Sequence, residues 1–294
     1  MSQLDHGDWS LALRPDLGAA VTRLTWRGQD ILRAAPDGVS HPLDTGSFPL
    51  VPYANRIDRG AFTFAGREVA LPPTAGFEPH ALHGVGWLRP WSVLQCGPDL
   101  VDLALAADAS PDWPWAWTAS HRMRLGADGV EMTLSLTNQD RQPMPAGLGL
   151  HPYFAIASDA ALTAPAGQVW VNAANEIPER LAPASTVFDW SDGALVASAS
   201  FVDNAYAGWS GQVRLDHAGH VVTLTASTNA RWLQIYAPGQ GGFVCVEPVT
   251  HRPDAHNAPA GEDSGLVILA PGETISMSMH LAAADRNRMT GDHP

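Results

Sequence analysis

Alternation of apolar and polar residues with a period of two is the dominant pattern along this chain. In the segment GVEMTLSLTN, apolar side chains at Val130, Met132, Leu134 and Leu136 alternate with polar ones. Such alternation is typical of an antiparallel strand with one buried face. The same pattern returns in VDLALA, HVVTLTAS and TISMSMHL, so the sequence predicts strands throughout its length.

Turn sequences between these segments predict hairpins. HRMRL leads through GADG into the strand that contains Val130, and RWLQIYAP leads through GQGG into GFVCVEPVT. Helices are not expected to be long, because 27 glycines and 24 prolines interrupt most windows of the required length. We therefore predict an all-β fold, a large antiparallel β-sandwich of two sheets packed face to face, with few short helices.

Length and composition agree with one packed domain. The chain has 294 residues, of which 45% are hydrophobic and 16% charged, so a sizeable core can form. All-β folds often reach this size undivided. We predict a single domain over residues 1–283, followed by a flexible tail over 284–294, where the sequence is polar and without pattern.

The net charge and the N-terminal sequence limit which binding partners and which cellular location are expected. The net charge of -13 opposes binding to nucleic acid or an anionic membrane, since both attract basic patches. The N-terminus lacks the features of a secretory signal, and no apolar run is long enough to cross a bilayer, which favours the cytoplasm. Cys96 and Cys245 show no paired spacing, so we expect ordinary buried thiols and no disulfide.

Four segments carry polar or ionisable residues on a backbone stiffened by proline and glycine: FPLVPYANRIDRG, EPHALHGVGW, GLGLHPYF and CVEPVTHRPDAHN. Glu247 is the strongest single candidate, because it interrupts an apolar strand and precedes Pro248. A buried carboxylate without a partner either destabilises the fold or has a raised pKa, which brings it toward the range of a general base.

The other segments supply weaker candidates. His151 suits a proton donor, since the imidazole pKa lies nearest neutrality, but a lone histidine is more often buried and bonded to a backbone carbonyl. Arg56 could hold sugar hydroxyls through its fixed donors or could be a solvated turn residue. Trp87, which follows His83 and two glycines, offers a ring that could stack on a sugar or fill the core.

Metal binding is not predicted. His80 and His83 form an HxxH pair without a helix, and His251 and His256 lie near Glu247 in a loop whose spacing defines no ligand geometry. We expect His251 and His256 to be solvated loop residues.

Six motifs, taken in order, resemble the aldose 1-epimerase (galactose mutarotase-like) family: PYANRI, LHGVGW, GLGLHPYF, FVDNAY, LQIYAP and CVEPVT. The resemblance extends from about Phe48 to Asn257 and rests on the six together, since no single motif is decisive. It implies the large antiparallel sandwich of that family, and an isomerase that interconverts the α and β anomers of a free aldohexose without a metal or an organic cofactor.

The resemblance also assigns roles to residues. It implies that Glu247 removes the proton of the anomeric hydroxyl and that His151 protonates the ring oxygen. The other site residues are implied or proposed to bind the sugar: Arg56, His83, Asp203, Asn55, Gln234, Tyr236 and Trp87.

Three alternatives remain. A hexose-6-phosphate 1-epimerase has the same fold, but a phosphate favours a basic cluster and few basic residues lie near the motifs. A non-catalytic carbohydrate-binding protein would have no need of an acid and a base. A metal enzyme of the cupin type would use histidines near Glu247. The expected partner is a small-molecule sugar substrate, with no nucleic acid or membrane, and the chain is expected to be a monomer or a homodimer.

Overall fold

β-strands form most of the regular structure in the computed structural model, which describes residues 2–286. The strands are β1 (Ser2–His6), β2 (Trp9–Arg14), β3 (Ala20–Trp26), β4 (Gln29–Leu32), β5 (Pro49–Leu50), β6 (Arg56–Ile57), β7 (Ala61–Phe64), β8 (Arg67–Ala70), β9 (Ala81–Leu82), β10 (Ser92–Cys96), β11 (Leu100–Ala107), β12 (Trp117–Gly126), β13 (Gly129–Asn138), β14 (Met144–Ala146), β15 (Gly149–Leu150), β16 (Tyr153–Ala155), β17 (Ala161–Thr163), β18 (Gln168–Asn172), β19 (Pro178–Pro183), β20 (Ala194–Leu195), β21 (Val202–Ala207), β22 (Gln212–Asp216), β23 (His220–Ala226), β24 (Trp232–Ala237), β25 (Phe243–Val249), β26 (Val267–Leu269) and β27 (Thr274–Asp285). Short 3-10 helices of three residues each lie at Pro42–Asp44, Asp58–Gly60, Gly86–Leu88, Ala184–Thr186, Val196–Ser198 and Ala255–Asn257.

Two large antiparallel sheets make up the body of the protein. The first has twelve strands, in the order β1, β2, β3, β4, β16, β25, β24, β21, β18, β19, with β15 paired to β25 and to β5. The second has nine, in the order β10, β11, β12, β13, β27, β23, β22, β17, β20. Short two-stranded sheets join β14 to β26, β6 to β9 and β7 to β8. The predicted all-β architecture with few short helices is confirmed.

The predicted hairpins are present, and burial explains their register. β12 pairs with β13 across the turn between Gly126 and Gly129, and β24 pairs with β25. In β13 the predicted apolar face is buried at Val130, while Glu131 on the opposite face is exposed. Because a shift of one residue would exchange the two faces, the alternation itself selects the register.

Aromatic rings fill much of the interior. Trp113, Trp117 and Trp190 are buried in the main hydrophobic core. Trp87 belongs instead to a smaller cluster, with Phe48 and side chains from the central strands of the twelve-stranded sheet. Full burial of such a side chain stabilises the fold by about 2 to 3 kcal/mol, so packing accounts for many of the tryptophans that stand out in the sequence.

The cysteines and the C-terminus differ in part from expectation. Cys245 is buried, but Cys96 is exposed on β10, an edge strand whose residues all face solvent, so the prediction of a buried thiol there is wrong. Strand β27 continues through Asp285, two residues beyond the predicted domain boundary at 283. The rest of the predicted tail, 287–294, lies outside the described residues. Within residues 2–286, no helix is long and apolar enough to cross a membrane.

Gly84→Ala is expected to lower the free energy of unfolding by more than Gly28→Ala. Both glycines have a positive φ, +68° and +77°, so both substitutions cost roughly 1 to 2 kcal/mol in backbone conformation. A Cβ at Gly84 would also lie 2.3 Å from the carbonyl oxygen of Val51, whereas Gly28 has nothing within 4 Å. The clash adds about 1 to 3 kcal/mol. Urea denaturation measures the difference, and equal losses would contradict the close approach.

Candidate active site

Register across the twelve-stranded sheet gathers side chains from distant parts of the chain. Asp203 of β21 lies opposite Tyr236 of β24, Tyr236 opposite Cys245 of β25, and Cys245 opposite Tyr153 of β16. Directly opposed residues share a face of the sheet. These four side chains therefore form one line across the sheet, which we call the floor row.

A second row lies two residues further along the strands, on the same face. Gln234 is opposite Glu247 there, and His151 stands two residues before Tyr153. Because alternate residues of a strand share a face, Glu247 and Cys245 point to the same side of the sheet. Side chains from both rows line a cavity of about 680 Å³: Asp203, Tyr236 and Tyr153 from the floor row, and Glu247 and His151 from the second.

A close contact between His151 and Glu247 is the central feature of this cavity. The Nε2 atom of His151 lies 3.3 Å from Oε1 of Glu247, and the side chains are only 7% and 3% exposed. The imidazole ring stacks on Tyr153, with the ring centroids 4.6 Å apart, and also contacts Phe48. The backbone N–H of His151 donates to the carbonyl oxygen of Phe48. The ring is thus held in place by packing and by its own main chain.

Burial shifts the pKa of both groups toward their uncharged forms. It raises the pKa of Glu247 well above its usual value, and the nearby charge of Asp203 raises it further, while Arg56 acts in the opposite direction. Burial lowers the pKa of His151 to about 3. The direction of the Glu247 shift agrees with the expectation from its place in an apolar strand. Both shifts favour a neutral pair, with a protonated carboxyl group 3.3 Å from a neutral imidazole.

Arg56 lies between two carboxylates on one side of the cavity. Its Nη2 donates to Oε2 of Glu176 at 2.6 Å, and its Nη1 lies 3.6 Å from Oδ2 of Asp203. The amide of Gln234 in turn donates to Oδ1 of Asp203 at 2.6 Å. This set of hydrogen bonds and ion pairs fixes the Asp203 carboxylate beside the second row. Its negative charge there raises the pKa of Glu247.

Asn55 and His83 fix each other through their backbones. The N–H of Asn55 donates to Nδ1 of His83 at 3.1 Å, and the N–H of His83 donates to the carbonyl oxygen of Asn55. Both residues have positive φ, +57° and +61°. Because a backbone N–H can only donate, Nδ1 of His83 must accept, and the neutral ring carries its hydrogen on Nε2. The His83 ring lies edge-on to that of His151, 5.2 Å between centroids.

Most residues predicted for the site line the cavity. Those that do are Glu247, His151, Arg56, His83, Asp203, Asn55 and Tyr236. Gln234 is buried and reaches the site through Asp203. Trp87 is fully buried, stacks on Phe48, and donates through its indole N–H to the carbonyl of Gly84. Trp87 therefore presents no ring face to the cavity.

Several lining residues were not predicted. Glu176 lies in the turn between β18 and β19, and Arg33 directly follows β4, where no recognised motif occurs. His80 is half of the HxxH pair in the sequence, and its Nε2 contacts the carbonyl of Asn175, beside Glu176. Each reaches the cavity through contacts between segments distant in sequence, so local patterns carry no signal for them.

His251 and His256 are not solvated, and that prediction is wrong. His251 is 1% exposed; its Nε2 accepts from the N–H of Ala54 and its Nδ1 donates to the carbonyl of Arg252. His256 packs against aromatic rings, among them Phe62. Neither belongs to the one group in residues 2–286 whose donor atoms lie close enough for a metal ion, which is His151, Cys245 and Glu247 within 4.8 Å.

Comparison with known proteins identifies the family. The sequence model described as Aldose 1-epimerase matches residues 2–282. The chain belongs to the aldose 1-epimerase family. It is 31% identical over 291 residues to the Escherichia coli (strain K12) protein YphB, a match that covers 95% of this chain and 97% of that protein.

Solved structures show the same fold across the family. A crystal structure from Escherichia coli K12 has a TM-score of 0.86 at 29% identity and covers 97% of this chain and 98% of that one. A galactose mutarotase-like protein from Clostridium acetobutylicum has a TM-score of 0.87 at 20% identity, covering 96% and 94%. This aldose 1-epimerase family member therefore has the galactose mutarotase-like fold that its motifs implied.

Asp203→Asn is expected to lower the pKa of Glu247, because it removes a negative charge that disfavours the ionised carboxylate. Carbon-13 NMR titration of the glutamate side chains measures this pKa, with Glu247→Gln identifying the resonance. Asp102→Asn on the nine-stranded sheet is the matched control and should leave the pKa unchanged. The same Glu247 pKa in wild type and Asp203→Asn would contradict the assigned electrostatics.

Proposed function

We propose that this protein is an aldose 1-epimerase, a mutarotase that interconverts the α and β anomers of a free aldohexose. The contact between His151 and Glu247 at the base of a sugar-sized cavity carries the proposal. Opening a cyclic hemiacetal requires one proton to leave the anomeric hydroxyl while another reaches the ring oxygen. An acid and a base that share one proton, and lie side by side, meet that requirement.

Ring opening begins from the arrangement in which Glu247 is a carboxylate and His151 an imidazolium. The Glu247 carboxylate takes the proton of the hydroxyl on C1, and the electrons of that O–H bond form the C1=O double bond. The bond between C1 and the ring oxygen breaks, and the ring oxygen takes the proton of His151. The site ends with a neutral pair and an open-chain aldehyde, so no charge is created in the buried cavity.

Ring closure is the same sequence in reverse. Rotation about the C1–C2 bond presents the other face of the aldehyde to the C5 hydroxyl. His151 then accepts the proton of that hydroxyl while Glu247 returns a proton to the C1 oxygen, which leaves the opposite anomer. The pair is restored after each turnover, and the chemistry requires no redox cofactor.

The polar groups around Glu247 and His151 bind the substrate. Arg56 and Asp203 offer donors and an acceptor to sugar hydroxyls on one side of the cavity, and His83 directs its Nε2–H as a donor near the ring of His151. Tyr236 in the floor row adds a ring that can pack under the sugar. Such fixed donors orient the hemiacetal without changing its protonation.

Glu247→Ala and His151→Ala are each expected to reduce the rate of anomer exchange by about 10² to 10⁴-fold, the usual contribution of one positioned proton-transfer group. Polarimetry or NMR exchange measures the rate, after subtraction of the spontaneous reaction. Glu247→Gln removes the charge at nearly constant shape. His217→Asn, a histidine outside the cavity, is the control. Near-wild-type rates in both alanine variants would refute the assignment.

The rate is expected to stay high across neutral pH and to fall at high pH, where the pair loses its one proton. Since the raised pKa of Glu247 sets that limit, Asp203→Asn should move the high-pH fall to lower pH. The profile of kcat/KM against pH measures this shift. If kcat/KM falls at the same pH in wild type and Asp203→Asn, another group controls the reaction.

Two rival functions give different outcomes in the same assays. A carbohydrate-binding protein would bind aldoses with no acceleration of exchange. A metal enzyme would lose its activity in EDTA, whereas we expect the rate to be unchanged. The cytoplasmic location and the monomeric or homodimeric state remain predictions of the sequence.

A further inference from the structure

Arg33 differs from the other arginine of the cavity in having no carboxylate partner among residues 2–286. Its Nη2 donates to the carbonyl oxygens of Leu43 and Thr45, at 2.5 and 2.8 Å. Its Nε is buried without a partner, and no hydrogen bond engages Nη1 within the described part of the chain. Arg56, by contrast, is held by Glu176 and Asp203. The cavity therefore contains one cation that the protein itself does not neutralise.

Register places this arginine at the end of the floor row. Leu32 of β4 is opposite Phe154 of β16, and the N–H of Arg33 donates to the carbonyl of Tyr153 at 2.8 Å. Arg33 thus continues the row one strand beyond Tyr153. Its guanidinium lies over the ring of Tyr153, 4.0 Å from the centroid, and 4.7 Å from that of Phe243. The row runs from Asp203 to Arg33 across four strand spacings, about 19 Å.

The order of strands determines which part of a bound sugar lies near Arg33, and this step rests on the proposed function. Glu247, on β25, acts at the C1 hydroxyl, and His151, which precedes β16, acts at the ring oxygen. The ring oxygen is bonded to C1 and to C5, so C5 and its substituent lie on the side of His151 away from Glu247. Strand β4 is next to β16 on that side, and Arg33 follows it.

We propose that Arg33 binds a carboxylate carried on C5 of the sugar, and that the preferred substrates are hexuronic acids. A partly desolvated guanidinium forms its strongest hydrogen bonds with anionic oxygens. A neutral hydroxymethyl group on C5 would leave the charge of Arg33 uncompensated.

The other charged groups of the cavity favour a substrate with one negative charge over a substrate with two. Four carboxyl side chains also line it, those of Glu78, Glu176, Asp203 and Glu247. Among residues 2–286, Arg33 is the one guanidinium lining the cavity without a carboxylate partner, and neither its Nε nor its Nη1 has a hydrogen-bond partner there. A phosphate dianion on C6 would meet the same carboxylates with a single cation to balance it, so a carboxylate is the better match in charge.

The test compares glucose, glucuronate and glucose 6-phosphate, which share their ring stereochemistry, by NMR anomer exchange with the spontaneous rate subtracted. We expect kcat/KM for glucuronate to exceed that for glucose by about tenfold or more, the value of one charge-assisted hydrogen bond. Arg33→Gln should remove this preference, mainly through a higher KM for glucuronate. Arg33→Lys should retain part of it. Added salt should raise the KM for glucuronate more than that for glucose.

Arg231→Gln is the matched control, because Arg231 also lies over an aromatic ring, that of Trp232, but outside the cavity. It should leave the ratio of the two sugars unchanged. If Arg33→Gln lowers activity on both sugars by the same factor, Arg33 has a structural role and the proposal is wrong. A preference for glucose 6-phosphate over glucuronate would overturn the choice of a carboxylate.

A measurement on the wild-type protein covers the case in which Arg33→Gln does not fold. Glucuronate should raise the Tm by more than glucose does at equal concentration and ionic strength, and an equal shift would contradict the proposal. The results separate the role of Arg33 from the mutarotase activity itself. Exchange of glucose but not glucuronate refutes only the role of Arg33, whereas no exchange of any aldose refutes the mutarotase itself.

Discussion

A carboxyl group and an imidazole, held 3.3 Å apart and away from water, impose the main constraint on this structure. Two separate charges at such depth would be strongly destabilising, whereas a pair that shares one proton can remain neutral. The aromatic rings around His151 and the apolar neighbours of Glu247 exclude water from the pair. The same surroundings make ionisation costly and keep the two groups at 3.3 Å.

The register of the twelve-stranded sheet brings these two side chains together. Glu247 and His151 are separated by almost one hundred residues, yet they approach because β25 pairs with both β15 and β16, between which His151 lies. β25 is buried on both faces from Val244 to Val249, and burial of its apolar side chains stabilises these pairings. Ordinary packing of the sheet thus brings the two side chains to 3.3 Å.

Sequence patterns predicted the strands and singled out Glu247, because both depend on local signals. The period of two in β13 and the placement of Glu247 between apolar residues and Pro248 are visible in short windows. Arg33 and Glu176 gave no such signal, since only the pairing of distant strands brings them to the cavity. Cys96 was misjudged for a related reason: nothing in its own segment shows that β10 is the edge of a sheet. His251, expected to be a solvated loop residue, is buried and accepts a hydrogen bond from the backbone N–H of Ala54, almost two hundred residues away.

Under the proposed function, the two rows separate sugar recognition from proton transfer. Tyr236 and Tyr153 line the cavity from the floor row, while Glu247 and His151 lie in the neighbouring row two residues along. A change of side-chain size at Tyr236 would alter the depth of the cavity without altering the backbone pairing that aligns Glu247 with His151. Under the proposed function, single substitutions in the floor row would therefore change which sugar fits and leave the spacing of the acid and the base in place.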